Sequence, residues 1–163
     1  MVVVQHIAAG GFVQSLVQWF QRDSRSPVEI LETNTRLSPG VTYFAPDGHH
    51  LKLQETDGYL HSRLSLSPPR SGFRPSIDIL FESVAETLGP NAVGMLLTGM
   101  GRDGAAGLLE LRKQGALTLS QDQESCIVYG MPQEAERLGA VCHSLSPSGL
   151  VEAVKAALNL KTS

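Results

Sequence analysis

The stretch AVGMLLTGMGRDGAAGLLELRKQGALTLS, residues 92–120, constrains the fold more than any other part of the chain. Residues 92–97 form a short apolar run of strand length. A glycine-rich turn, TGMGRDGAAG, follows, and AAGLLELRKQ then reads as a helix stopped by Gly115. ALTLS, residues 116–120, is the next strand. Strand, turn, helix and strand within about 30 residues make a βαβ unit, whose right-handed crossover leaves its two strands parallel.

The rest of the chain fits that frame. VVV at 2–4 is β-branched and short, as a buried parallel strand is, and the small-residue loop AAGG follows His6. Val13, Leu16, Val17 and Phe20 recur at helical spacing between Phe12 and Arg22. VEILE (28–32) is a strand, and SPGVTYFAPDGHHLKL carries strand pieces between Pro and Gly. GYLHSRLSL (58–66) alternates as the arm of a hairpin. Ser76 is placed to cap a helix bearing Ile77, Leu80, Phe81, Val84 and Leu88, and Pro132 to open one over QEAERL. A last helix is expected over 148–159. The predicted architecture is one α/β domain over 1–163. It has three layers, a mostly parallel open sheet flanked by helices, and a small antiparallel hairpin. Such sheets carry their sites beyond the carboxyl ends of the strands. His6 and TGMGRDG both follow strand ends.

Composition narrows the function. A net charge of −3 argues against a nucleic-acid binder, and 42% hydrophobic with 18% charged residues suits a water-soluble domain. No run approaches the roughly 18 apolar residues that span a membrane. MVVVQH lacks the basic start and apolar length of a signal peptide. Cys126 and Cys142 have no metal-ligand spacing, so free thiols in the cytoplasm are expected.

Gly99, Gly101 and Gly104 satisfy G-x-G-x-x-G, with Asp122 near the place of a ribose-binding acid. Asp103, however, sits in the loop where a pyrophosphate would dock, and its charge opposes that reading. A carboxylate there can instead hold a histidine in one tautomer and stabilise its imidazolium. The backbone N–H groups around Met100 can form an oxyanion hole. Asp103 as a plain helix cap and His6 as a hydrogen-bonded structural histidine are the simpler alternatives. His49 and His50, beside Asp47, match no standard metal spacing and read as a solvated loop. Trp19 and Phe20 read as core and helix edge. Arg70 and Arg74, in SPPRSGFRP, are placed to bind an acidic substrate or simply to be solvated.

VVVQHI, GVTYFAP, FRPSIDILFESVAE, VGMLLTGMGRDGAAGLLELRKQGALTLSQD and YGMPQEAERLGAV occur here in the order seen in one family. From residue 2 to about residue 154 the chain resembles the catalytic domain of the chemotaxis protein-glutamate methylesterase, CheB. The resemblance implies a serine hydrolase that removes methyl esters from glutamates of chemoreceptor cytoplasmic tails and deamidates certain glutamines. It implies His6 as the triad histidine, Asp103 as the triad aspartate and Met100 as the oxyanion-hole residue; Arg74, from its loop position, is the candidate for substrate binding. No metal or other cofactor is implied.

The family's serine lies in a G-x-S-T-G-G turn after a strand that precedes the valine strand. None of the 16 glycines here opens a G-x-S, and no receiver domain is expected. The expectation is a methylesterase domain lacking that strand and serine, inactive or crippled as it stands. The alternative is a non-catalytic receptor- or partner-binding protein on the same fold. An unpaired valine edge also invites a homo-oligomer or a partner chain.

Overall fold

The computed structural model describes residues 1–7 and 12–159, so most of the small-residue loop after His6 lies outside the described residues. The chain forms two compact units, Met1–Ser83 and Val84–Ser163. Both are α/β.

The first unit opens with β1 (Val2–Val3), α1 (Phe12–Asp23), β2 (Val28–Ile30) and β3 (Thr42–Phe44). β3 lies between β1 and β2 and pairs in parallel with both. β1 therefore ends its sheet, with β3 as its one strand neighbour among the described residues. Val13 and Val17 of α1 pack with Phe44, and Val3, Ile7, Leu16, Val28 and Ile30 surround them. Trp19 departs from the expected core role, being 55% exposed, whereas Phe20, 42% exposed, keeps the expected place at the helix edge. The buried stripe of α1 is narrow and centred on Val13 and Val17, and Trp19 is rotated well away from it. Phe20 still reaches the core rim, its ring 5.7 Å from that of Phe44.

The hairpin pairs β4 (His50–Thr56) with β5 (Tyr59–Ser65). Asp57 and Gly58 form its two-residue turn with φ of 53° and 75°. Both central residues are left-handed, as a type I′ turn requires, and this twist matches that of the flanking strands. Leu51 and Leu53 are buried while Lys52 between them is exposed, the period of a strand with one covered face. Helix α2 (Ile77–Leu88) runs from the first unit into the second. Ser76 Oγ accepts the N–H of Ile79 at 3.5 Å, the capping role expected of it.

The second unit contains β6 (Val93–Leu96), α3 (Ala105–Lys113), β7 (Leu117–Gln121), α4 (Met131–Arg137), β8 (His143–Leu145) and α5 (Pro147–Ala157). β7 is central and parallel to both neighbours, as the crossover predicts. β8 was not legible in the sequence, since two of its three residues are exposed and carry no apolar pattern. α5 starts slightly before the expected 148 because Ser146 caps it, its Oγ accepting the N–H of Gly149 at 3.3 Å. The core holds Leu96, Leu108, Leu111, Leu119, Ala135 and Leu150.

Leu119 is fully buried at the centre of that sheet. Leu119→Ala should cost about 2–5 kcal/mol, because the removed methyl groups leave a cavity that a sheet cannot close. Urea unfolding should show a lower midpoint at unchanged slope. A loss under about 0.5 kcal/mol, the range of surface changes, would contradict this packing.

Candidate active site

Met100 and Asp103 lie in the turn between β6 and α3. Gly104, not Asp103, is the N-cap of α3, with φ 92°. Asp103 is 1% exposed. Its carboxylate is buried just ahead of the helix, near the positive end of the dipole.

The turn is held from one side. Thr98 donates its N–H to Gln121 Oε1 at 3.0 Å, and Gly99 donates to the carbonyl of Val128 at 3.0 Å. Gly130 and Met131 return N–H bonds to the carbonyl of Gly99 at 3.2 and 2.9 Å. Thr98 Oγ1 also accepts from Val128 N–H and donates to its carbonyl. Met100 projects outward, 82% exposed, and the N–H groups of Met100 and Gly101 take no acceptor among the described residues.

Gly130 permits this approach. A Cβ there would lie 2.7 Å from the Gly99 oxygen, 3.1 Å from Gly101 N and 3.3 Å from Met100 Cα. Behind it, Glu136 of α4 accepts hydrogen bonds from Tyr129 Oη (2.6 Å), Ser144 Oγ (2.8 Å) and Ser120 Oγ (3.1 Å). Burial opposes the charge of Glu136, but these three donors outweigh it and hold its carboxyl below the usual range. Burial, then the bond to Glu136 and its charge, push the Tyr129 phenol up to about 12.

In the first unit the ladder of β1 ends at Val3, so His6 stands three residues beyond the paired strand rather than at its last residue. Its ring lies parallel to that of Phe73, with centroids 4.0 Å apart. Arg74 Nη1 donates to the carbonyls of Leu66 and Ser67 at 3.0 and 3.2 Å, so part of its guanidinium is engaged within its own loop. The solvated-loop reading of His50 is overturned, because that ring is fully buried at the start of β4. His49 Nδ1 lies 3.1 Å from the Asp47 carbonyl. Among the described residues no three His, Cys, Asp or Glu side chains gather as a metal site would need.

Asp122, the candidate ribose acid, instead closes a local turn. Its Oδ1 accepts from the N–H and hydroxyl of Ser125 at 2.9 and 2.5 Å. Several serine hydroxyls are similarly engaged. Ser62 donates to the Glu32 carbonyl, Ser83 to the Leu80 carbonyl, and Ser120 and Ser144 to Glu136. Phe73 and Glu136 escaped sequence reasoning. Neither sits in a periodic pattern that marks a site, and Gly130 was visible only as part of GMP.

The family model described as CheB methylesterase matches residues 1–154. The chain belongs to the CheB methylesterase family. It is 44% identical over 154 residues to a protein-glutamate methylesterase/protein-glutamine glutaminase of Geobacter metallireducens, covering 94% of this chain and 44% of that one. A Caulobacter vibrioides relative of the same description is 46% identical over 154 residues, with the same coverage. The chain thus spans less than half the length of the curated relatives it matches. The crystal structure of the Thermotoga maritima CheB methylesterase catalytic domain superposes with a TM-score of 0.87 at 31% identity, covering 98% of this chain and 80% of that one.

Spectrophotometric titration should find Tyr129 ionising well above the ordinary phenol, at about 12. Glu136→Gln removes a negative neighbour, so the Tyr129 value should fall from about 12 part of the way towards the ordinary phenol, with burial keeping the remainder. An unchanged value would show that Glu136 does not hold the tyrosine.

Proposed function

We propose that this chain supplies the base, the orienting carboxylate and the oxyanion site of a protein-glutamate methylesterase that acts on the cytoplasmic tails of methyl-accepting chemotaxis receptors. The observation that carries the reading is the turn at 98–101. Its first two N–H groups are tied down, while those of Met100 and Gly101 are left for a ligand oxygen. The family match supports the chemistry.

In this reading His6 takes the proton of a serine hydroxyl as that oxygen attacks the ester carbonyl. Asp103 fixes the imidazole tautomer and stabilises the imidazolium. The N–H groups at Met100 and Gly101 receive the negative charge that forms on the carbonyl oxygen. His6 then returns the proton to the departing methoxide, which leaves as methanol. Water, deprotonated by His6, releases the glutamate and restores the serine. With a glutamine substrate, ammonia leaves in place of methanol. Arg74 is the candidate contact for an acidic receptor segment.

The serine belongs to a G-x-S-T-G-G segment, which these 163 residues do not contain. On their own they are therefore expected to turn over no ester. The valine edge of β1 is suited to pair with a further strand, whether from that segment or from a second chain. No helix among the described residues is long and apolar enough to cross a membrane, and a cytoplasmic location follows from the proposed substrate.

The test is methanol release by these residues joined to a strand–serine turn–helix segment of that pattern. His6→Ala and Asp103→Asn should each lower kcat by about 10⁴-fold, as the loss of a triad member does. Turnover within about threefold of the parent in either variant would overturn the assignment of that residue.

A further inference from the structure

His50 carries a second kind of assignment. It is fully buried at the first residue of β4. Its Nδ1 accepts the backbone N–H of Ser76 at 3.2 Å, and its Nε2 lies 3.1 Å from the carbonyl oxygen of Pro68. A backbone N–H only donates and a carbonyl only accepts. The ring is therefore neutral, with its proton on Nε2. One side chain thus ties down both ends of the segment between β5 and α2.

Between these ties the segment is closely determined. Arg70 and Phe73 exchange both backbone hydrogen bonds, at 3.0 and 2.9 Å, across a turn whose central residues Ser71 and Gly72 have φ of 52° and 88°. Arg70 Nη1 pairs with Glu82 Oε2 of α2 at 2.5 Å. Arg74 bonds back to the carbonyls of Leu66 and Ser67. The ring that this framework presents is Phe73, lying parallel to the His6 imidazole at 4.0 Å. Parallel aromatic contact of this kind fixes the plane of the smaller ring.

We propose that His50 is a positioning residue for the His6 ring: it pins both ends of residues 68–76 and so holds Phe73 flat against the imidazole. The purpose assigned to this device rests on the reading of His6 as the base. A base whose plane is set before substrate arrives needs no reorganisation in the reaction.

The test is made on the 163-residue chain by ring ¹⁵N–¹H correlation spectra of the histidines. Wild-type His50 should show the neutral Nε2–H tautomer at neutral pH. The His6 ring protons should be shifted upfield by the Phe73 ring current, and Phe73→Leu should abolish that shift. His50→Ala should lose most of it in a protein whose amide spectrum remains dispersed. His50→Asn, which restores an acceptor for Ser76 N–H, should recover part of it. A charged or Nδ1–H His50, or His6 shifts unchanged in folded His50→Ala, would overturn the proposal. If His50→Ala does not fold, the wild-type tautomer and Phe73→Leu still decide. These readouts do not depend on turnover, so failure of His6 as the base would appear separately, as retained activity in His6→Ala.

Discussion

The second unit depends on one close backbone approach. Residues 128–131 lie against the turn that follows β6, and only a residue without Cβ fits at 130, 2.7 Å from the Gly99 oxygen. That approach consumes the hydrogen-bonding groups of Thr98 and Gly99 and leaves those of Met100 and Gly101 available. Preorganised donors of this kind stabilise a developing oxyanion because they need not turn towards it during the reaction. The half-buried carboxylate of Glu136 secures the approach from behind by gathering three hydroxyls from Ser120, Tyr129 and Ser144. Since the cluster draws on β7, the 122–130 loop, α4 and β8, it also ties the turn to the sheet.

The first unit uses a comparable device with different chemistry. There the fixed object is a ring and the anchor is a buried neutral histidine. His50, itself fully buried, satisfies one donor and one acceptor of the backbone. A buried polar group so placed is costly to leave unmatched, which makes the conformation of the segment it bridges specific.

Much of this was legible in the sequence, for identifiable reasons. The β6–α3–β7 crossover was readable because an apolar run, a glycine turn and a helix stop stand in order, and the parallel pairing of Leu117–Ser120 with Val93–Leu96 follows from them. The hairpin and the Ser76 cap were readable from alternation and residue type. His6, Asp103 and Met100 were singled out through the family resemblance, and their roles belong to the proposed function. β8 was missed because a three-residue edge strand with exposed side chains has no pattern to detect. His50 was misread because its neighbours Asp47, Gly48 and His49 are turn residues, while its burial comes from Pro68 and Ser76, far along the chain. Glu136 was missed because a charged residue in an amphipathic helix looks solvated until its partners on other elements are known. Trp19 was placed too deep because helical spacing gives a stripe but not its width.

The central claim of the functional reading is a division of labour: these residues hold the base, the carboxylate and the oxyanion site, and the nucleophile lies in a segment outside them. The most direct measurement is methanol release from a methylated chemoreceptor by the 163-residue polypeptide alone, and again after the serine-bearing strand–turn–helix segment is joined to it. The account predicts no release above the uncatalysed background in the first case and turnover in the second. Release by the 163 residues alone, at the rate of the joined protein, would contradict it, because a serine within these residues would then have to be the nucleophile.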